Sequence, residues 1–559
     1  MAGIVENLFR KFDRSVATTA AAKAETGLEV AAKSATLGSD ALKLSPQVRS
    51  LAEAKAKGTT AIAGSRTKLA QRANVAAAAP TSPPPDWVKD TVWYQVFPER
   101  FANGNPANDP IGVVKDWDHG TPTFDNYFGG DLKGLTDNIP KLKDLGVNGL
   151  YINPLFKSDS NHKYFATDYM QIDPEFGTLA DFDKMVQTAH DNGMKVILDG
   201  VFNHTSDQNP MFQDAIAKGK GSSYFDWYRI HGDKVTTNPI NYDTYYGFGF
   251  MPELNVAGNP DVQNYLCSVA DFWTRRGIDG WRLDVPLMIQ SPEFWQKFRQ
   301  TVKTANPDAY IVGEAWQNHG DNPLPWVQGD QFDAVMNYQY YENMKDFFAH
   351  DSMSVDQFDL AQMGLRNQWP KGVMDAEFNL IDSHDTPRFL SEAGGDTNRL
   401  KMAATYQMTH PGAPVVYYGD EIGMNGGADP MNRQPYAWNN QNTDVRNFYK
   451  KLIGLRNQYP ALRSGGSYDT LMRHNDYQQM VVYRSDGKDT FLVALNKGTN
   501  PTVTLDTTNG NLAHIAIPDG SQFTDVLGNA GSVTSAGGKL VMNVPPGGEA
   551  IFKLSNNAK

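Results

Sequence analysis

The chain has 559 residues, 40% of them hydrophobic, with a mean hydropathy of −0.49 and a net charge of −12; this is the composition of a multidomain globular protein, not of a membrane-embedded or wholly disordered one. Residues 1–85 carry twelve Lys and Arg against six Asp and Glu, a balance of +6 that leaves the rest of the chain at −18. An acidic body argues against a nucleic-acid enzyme, whose phosphate contacts need a basic footprint, and a single cysteine, Cys267, excludes an internal disulfide.

In chain order, the first 80 residues hold 21 alanines and run into AAAAPTSPPP (76–85). That predicts a weakly helical or disordered leader over 1–85, closed by a stiff Pro-rich linker. No compact apolar segment follows its basic residues, so it matches a secretory signal peptide poorly. An export tail, a pro-segment and a spacer all fit it.

After residue 86 short apolar runs alternate with amphipathic segments. The runs are TVWYQVFP (91–98), VNGLYINPL (147–155), KVILDGVFN (195–203), IDGWRLDV (278–285), AYIVGEAW (309–316), DAVMNYQ (333–339), FNLIDSHD (378–385) and APVVYYGDE (413–421). Near-continuous apolar runs are what parallel strands buried on both faces require.

Between them, Thr178 three residues before Asp181 reads as an acidic capping box, followed by the stripe Phe182, Met185, Val186 and Ala189 and a stop at Gly193. Pro260 opens the next clear helix, with Val262, Tyr265, Leu266, Val269, Phe272 and Trp273 on one side and Gly277 at its end. The fold class is therefore α/β, a (β/α)8 barrel over 86–463. Residues 205–259, rich in Asn, Gly and Tyr, form an inserted lobe after the third strand. From 464 to 559, runs such as QMVVYRS (479–485), TFLVALNKG (490–498) and EAIFKL (549–554) predict an antiparallel β-sandwich.

In such a barrel the functional groups sit at the C-terminal strand ends. There the third run ends in Asp199, Asn203 and His204, the fourth in Arg282 and Asp284, the fifth in Glu314, the seventh in His384 and Asp385. Taken alone, Arg282 and Asp284 read as a structural ion pair, and each histidine as a satisfied core group. Several carboxyls with few cations at one mouth suit glycosyl transfer, which needs one ionised and one protonated carboxyl. Arg282, on the same strand face as Asp284, is expected to hold that aspartate ionised. Glu314, between Val312, Ala315 and Trp316, is expected to have a raised pKa and to act as the acid/base.

The segments DGVFNH (199–204), GWRLDV (280–285), GEAW (313–316) and IDSHDT (381–386) resemble, in order and spacing, the four signature segments of the α-amylase family of glycoside hydrolases, and MPELN (251–255) resembles a fifth. The resemblance implies Asp284 as nucleophile, Glu314 as general acid/base and Asp385 as the group gripping sugar hydroxyls. It also implies that Arg282 orients the nucleophile and that His204 and His384 bond the same sugar.

NHKYFATDY (161–169) is similar to the family's sugar-platform loop, which would make Tyr164 a stacking residue and Asp168 a brace; Phe165 and Ala166 depart from the family pattern. ANGNPANDP (102–110) with FGGDL (128–132) resembles a calcium site of neopullulanase-like members. Its ligands would be Asn103, Asn105, Asn108, Asp109, the carbonyl of Gly129 and Asp131.

MPELN is close to the MPKLN of neopullulanase, cyclomaltodextrinase and maltogenic amylase, with Glu253 in place of lysine at a substrate-binding position. The residues after Asp284, Val285 to Met288, make an apolar acceptor side. The expected function is retaining hydrolysis of α-1,4 bonds in starch-type glucans, with cyclodextrins and pullulan as further substrates. A transglycosylase or isomerase of small α-glucosides and a non-catalytic carbohydrate-binding member are the alternatives. Partners are expected to be α-glucan alone, with no nucleic acid or membrane. The Ala-rich leader, where relatives carry a dimerising sugar-binding domain, suggests a monomer. Starch as substrate favours secretion, with a cytoplasmic location as the alternative.

Overall fold

A computed structural model describes residues 82–555 apart from 318, 319, 321, 509–514 and 516; the leader expected over 1–85 lies outside the described residues up to position 81. Eight strands are parallel: β1 Trp93–Val96, β2 Gly149–Ile152, β3 Lys195–Gly200, β4 Gly280–Leu283, β5 Tyr310–Gly313, β6 Ala334–Val335, β7 Phe378–Leu380 and β8 Ala413–Tyr417. They are hydrogen-bonded in the order β6-β5-β4-β3-β2-β1-β8-β7, and a parallel bridge from Met336 to Phe378 joins the two ends into a barrel. All eight apolar runs are barrel strands. Below the mouth the interior is filled by Trp93, Tyr151, Tyr310 and Phe378, with Trp93 stacked on Tyr310 at 6.0 Å, so the barrel is a packed core and not a pore.

The helices begin and end where their signals lie. Leu132–Leu145 is capped by Asp131, whose carboxylate accepts from Gly134 N at 2.6 Å, and stops at Gly146 with φ +105°. Leu179–Asp191 has the full capping box of Thr178 and Asp181 and buries Phe182, Met185, Val186 and Ala189. Pro260–Arg275 starts on its proline and buries Val262, Leu266, Val269 and Trp273.

One connection departs from the expected alternation. Among the described residues, β5 and β6 are joined by a 3-10 turn, Leu324–Val327, and no α-helix; Pro323, Pro325 and Gly329 within that stretch break helical hydrogen bonding. No helix of the described residues is long and apolar enough to cross a membrane.

Residues 205–259 form a lobe of short turns and bridges around the helix Pro210–Lys218. The C-terminal part is two antiparallel sheets, one of six strands and one pairing Thr502–Asp506 with Lys539–Asn543. Alternate residues of that pair point inward, so Val503, Leu505, Leu540 and Met542 join Leu492, Phe523 and Phe552 in a separate core.

Candidate active site

Strand register assembles the centre. Asp199 on β3 lies opposite Arg282 on β4, and Leu283 lies opposite Gly313 on β5. Asp284 and Glu314, each one residue further on, therefore leave their strands side by side. The buried Arg282 donates from Nη1 to Asp199 Oδ1 at 2.8 Å and to Asp284 Oδ1 at 3.0 Å, while its Nη2 lies 3.0 Å from Glu314 Oε2. One guanidinium thus faces three carboxyls.

Immediately after Asp284 the backbone is strained. Val285 is left-handed, with φ +36° and ψ 47°, a conformation that β-branched residues rarely take and that marks functional sites when surroundings enforce it. In it the Val285 N–H donates to Glu314 Oε2 at 2.9 Å. Trp316 Nε1 donates to Glu314 Oε1 at 2.8 Å, and its ring stacks on Tyr338 at 3.6 Å. The expected apolar setting of Glu314 is thereby corrected: backbone and indole donors and the charge of the Arg282 guanidinium surround its carboxyl.

A second chain of contacts closes the opposite wall. The hydroxyls of Tyr151 and Tyr164 donate to Asp199 Oδ2 at 2.8 and 2.7 Å. Tyr164 Oη also accepts from Asn153 Nδ2 at 2.9 Å and lies 2.6 Å from His384 Nε2, and its ring stacks on His384 with 5° between planes. His384 Nδ1 takes the amide of Gln95 at 2.7 Å. Next to it, Asp385 Oδ1 is 3.4 Å from Arg433 Nη2. Across the mouth His204 stacks on Tyr245 at 4.6 Å, and its Nε2 is buried without a hydrogen-bond partner; the same holds for Asp284 Oδ2.

Burial sets the protonation states. It pushes the Asp284 carboxyl well up against the pull of Arg282, with Glu314 and Asp199 adding to the rise; Asp199 is raised for the same first reason. The expectation that Arg282 holds Asp284 low is therefore corrected, because one cation cannot offset the desolvation of several crowded acids.

Burial also drives His204 down to about 3 and His384 well below its ordinary value, so both are neutral. It works to raise Asp385, but His384, Arg433 and Arg282 outweigh it and hold that carboxyl below the ordinary range.

Two residues expected in the site are engaged elsewhere. Asp168 accepts from Met170 N at 2.8 Å and Gln171 Nε2 at 2.7 Å, within its own strand, Ala166–Ile172, and does not brace the carboxyl cluster. Glu253 pairs by its backbone with His204, but its carboxylate is spent on Arg229, which also holds Asp243 at 2.6 Å.

Conversely, Asn432 and Arg433 carry no sequence signal. They lie in the Gly- and Pro-rich stretch after β8, yet Asn432 Nδ2 and Arg433 Nε grip the carbonyl of His384 at 2.7 and 2.9 Å. That grip fixes the turn bearing His384 and Asp385.

The loop after β1 fits a hard cation. Asn103 and Asn108 each have a buried side-chain oxygen without a partner, and Asn103 Nδ2 donates to Asp109 Oδ1 at 2.6 Å. Gly129, at φ +82°, comes so close that a Cβ there would lie 2.5 Å from Asp109 Oδ1. Asn105 turns its own oxygen towards Ala107 N at 3.4 Å, and Asp131 spends both oxygens on the N–H groups of Gly104, Asn105 and Gly134. Among the described residues no three His, Cys, Asp or Glu converge as a metal cluster, so the free oxygens are those of asparagines.

Carboxyls gathered around one guanidinium at the C-terminal mouth of a (β/α)8 barrel suit glycoside hydrolysis. Residues 95–444 match the family model of the α-amylase catalytic domain. The chain is 45% identical over 417 residues to a cyclomaltodextrinase of Geobacillus thermopakistaniensis (strain MAS1), covering 74% of this chain and 70% of that one. It is likewise 45% identical over 421 residues to a maltogenic alpha-amylase of Bacillus acidopullulyticus, covering 74% and 71%.

Among solved structures, a cyclomaltodextrinase superposes with a TM-score of 0.77 at 38% identity, covering 85% of this chain and 79% of that one. The cyclic alpha-maltosyl-(1→6)-maltose hydrolase of Arthrobacter globiformis superposes with a TM-score of 0.75 at 34% identity, covering 84% and 100%. The chain belongs to the α-amylase family.

Proposed function

We propose that this protein is a retaining α-glucan hydrolase that cleaves α-1,4-glucosidic bonds by double displacement, with starch-type chains and cyclodextrins as substrates. The observation that carries the reading is the single Arg282 guanidinium reaching both Asp284 and Glu314 at 3.0 Å. Two carboxyls within reach of one guanidinium support the close spacing that retention requires, about 5–5.5 Å.

In the first step Glu314 gives its proton to the glycosidic oxygen as the bond to the anomeric carbon breaks. Asp284, reacting as the carboxylate beside Arg282, attacks that carbon through Oδ2 to form a glycosyl-enzyme. In the second step Glu314 takes a proton from water, whose oxygen displaces Asp284 from the anomeric carbon. Asp385, held low by its neighbours His384, Arg433 and Arg282, would accept hydrogen bonds from two sugar hydroxyls. His204 and His384, both neutral, would bond the same ring, and Tyr164 would wall it.

On the leaving-group side the Val285–Met288 turn runs into a cleft of about 190 Å³ lined by Asn203, Arg229, Leu254, Val256, Met288 and Gln290. Calcium, held by Asn103, Asn108, Asp109 and the Gly129 carbonyl, would supply charge that pins the β1 loop; no chemical step needs it. A monomer with an open cleft completes the reading, and a tight dimer in sedimentation would contradict it.

The test is product analysis over time on soluble starch, pullulan and β-cyclodextrin, wild type beside Glu314→Gln. Short maltooligosaccharides from the wild type alone support the assignment. A wild type that leaves all three untouched would sink it and turn attention to small α-glucosides.

A further inference from the structure

Two carboxyls that the hydrolytic reading does not use meet beside the His384–Asp385 turn. Asp382 lies on the loop that leaves β7, three residues before Asp385, and Asp420 lies just past β8. Both are buried, and each leaves one oxygen, Asp382 Oδ1 and Asp420 Oδ2, without a donor. The two side chains are nevertheless in hydrogen-bond contact with each other. Two ionised carboxylates offer acceptors alone, so that contact needs a proton between them.

The surroundings offset one charge. The buried Arg388 donates from Nη1 to Asp420 Oδ1 at 3.1 Å, with the rings of Tyr417 and Tyr418 against its guanidinium at 4.4 and 4.9 Å. Glu421, next in the chain, is occupied by Tyr94, Tyr436 and Gly419 N, and Tyr449 of the helix Thr443–Gln458 faces both aspartates. Burial, followed by the charge of Asp382, pushes Asp420 well above the ordinary carboxyl range, and burial raises Asp382 as well. Asp382 Oδ2 accepts from Phe389 N at 2.7 Å, closing the loop that carries His384 and Asp385.

We propose that Asp382 and Asp420 hold one proton between them, and that this bond makes them positioning residues for the His384–Asp385 turn. The positioning role rests on the hydrolase reading, which gives that turn its task on the sugar. Asn432 and Arg433 grip the turn at the His384 carbonyl; the carboxyl pair holds it two residues earlier. An amide in place of either acid reproduces the protonated form, since it donates to the remaining carboxylate and leaves one charge for Arg388. A plain Arg388–Asp420 ion pair has no such symmetry.

Asp382→Asn and Asp420→Asn are therefore each expected to keep kcat/KM on β-cyclodextrin and soluble starch within about twofold of wild type. The double variant leaves Arg388 without a carboxylate, and kcat/KM of its folded fraction is expected to fall about tenfold, through a raised KM as well as a lower kcat. Asp420→Ser, too short for the bond, repeats that measurement if the double variant does not fold. An infrared difference spectrum at neutral pH, wild type minus either single variant, is expected to show a carboxylic-acid C=O band that shifts in deuterium oxide. A single variant that loses about tenfold, or a spectrum without that band, overturns the shared proton. Wild-type kcat/KM in the double variant or in Asp420→Ser overturns the positioning role, and so does failure of both to fold. A wild type inactive on every glucan overturns the hydrolase reading and the positioning role with it, whereas the infrared band tests the proton alone.

Discussion

Charge is buried at both ends of the barrel, with different results. At the N-terminal ends, Asp333 accepts from Arg299 at 2.8 Å, Lys303 at 3.0 Å and Ile311 N at 2.9 Å, and Asp279 accepts from His190, Lys195 and Val196 N. Every oxygen of these two carboxyls has a partner. At the C-terminal ends Arg282 faces three acids, yet Asp284 Oδ2 and His204 Nε2 have none. Ion pairs closed on themselves have done their work once the chain folds, whereas an open set keeps donors and acceptors in reserve for a ligand and stays only because the surrounding core can bear it.

That contrast is tested most severely by separating activity from stability. Glu314→Gln is expected to lower kcat on the order of 10³-fold with Tm unchanged or raised, in side-by-side kinetics and thermal melts. Asp333→Asn should do the reverse: leaving Arg299 and Lys303 poorly paired costs about 3–5 kcal/mol of stability, read in denaturant unfolding, while kcat of the folded fraction holds. If Asp333→Asn instead abolished turnover without unfolding the protein, the division between the two ends would fail.

A smaller effect comes from acid. His204 has a folded pKa of about 3, below its ordinary 6.5, so between these values the unfolded chain binds the extra proton. Its neutral burial costs nothing above pH 6.5, and stability is lost as pH falls from there towards 3. The Tm deficit of His204→Asn relative to wild type should therefore shrink as pH drops through this window; a gap constant with pH would show the imidazole is not buried neutral.

The smallest shift belongs to a second open set, the Asn103 and Asn108 oxygens. EDTA should lower Tm by a few degrees and added calcium restore it, an effect that Gly129→Ala should remove, since its Cβ would crowd Asp109. A wild-type Tm indifferent to EDTA and calcium would leave the loop as ordinary turn structure.

Much of this architecture is local and was therefore readable in one dimension. A strand buried on two faces must be apolar along its length, a helix must be capped within its first turn, and side chains two residues apart in a strand share a face. Those rules pick out the eight barrel strands, the Thr178 capping box and the convergence of Asp199, Arg282, Asp284, Glu314 and His384–Asp385 at one mouth. The resemblance of four segments to the α-amylase family supplied their expected roles.

Barrel closure and loop packing decided the rest. Tyr164 meets His384 across 220 residues and Arg433 meets Asp385 across 48, separations over which no periodicity carries information. Asp168 and Glu253 sat in the right motifs, yet a neighbouring glutamine and Arg229 took their carboxylates. The protonation pattern was likewise beyond the sequence, because Asp284 rises or falls with how many acids burial crowds around one guanidinium. Chain order determines which groups arrive at the mouth; only the packed molecule determines which are paired there and which are left for the substrate.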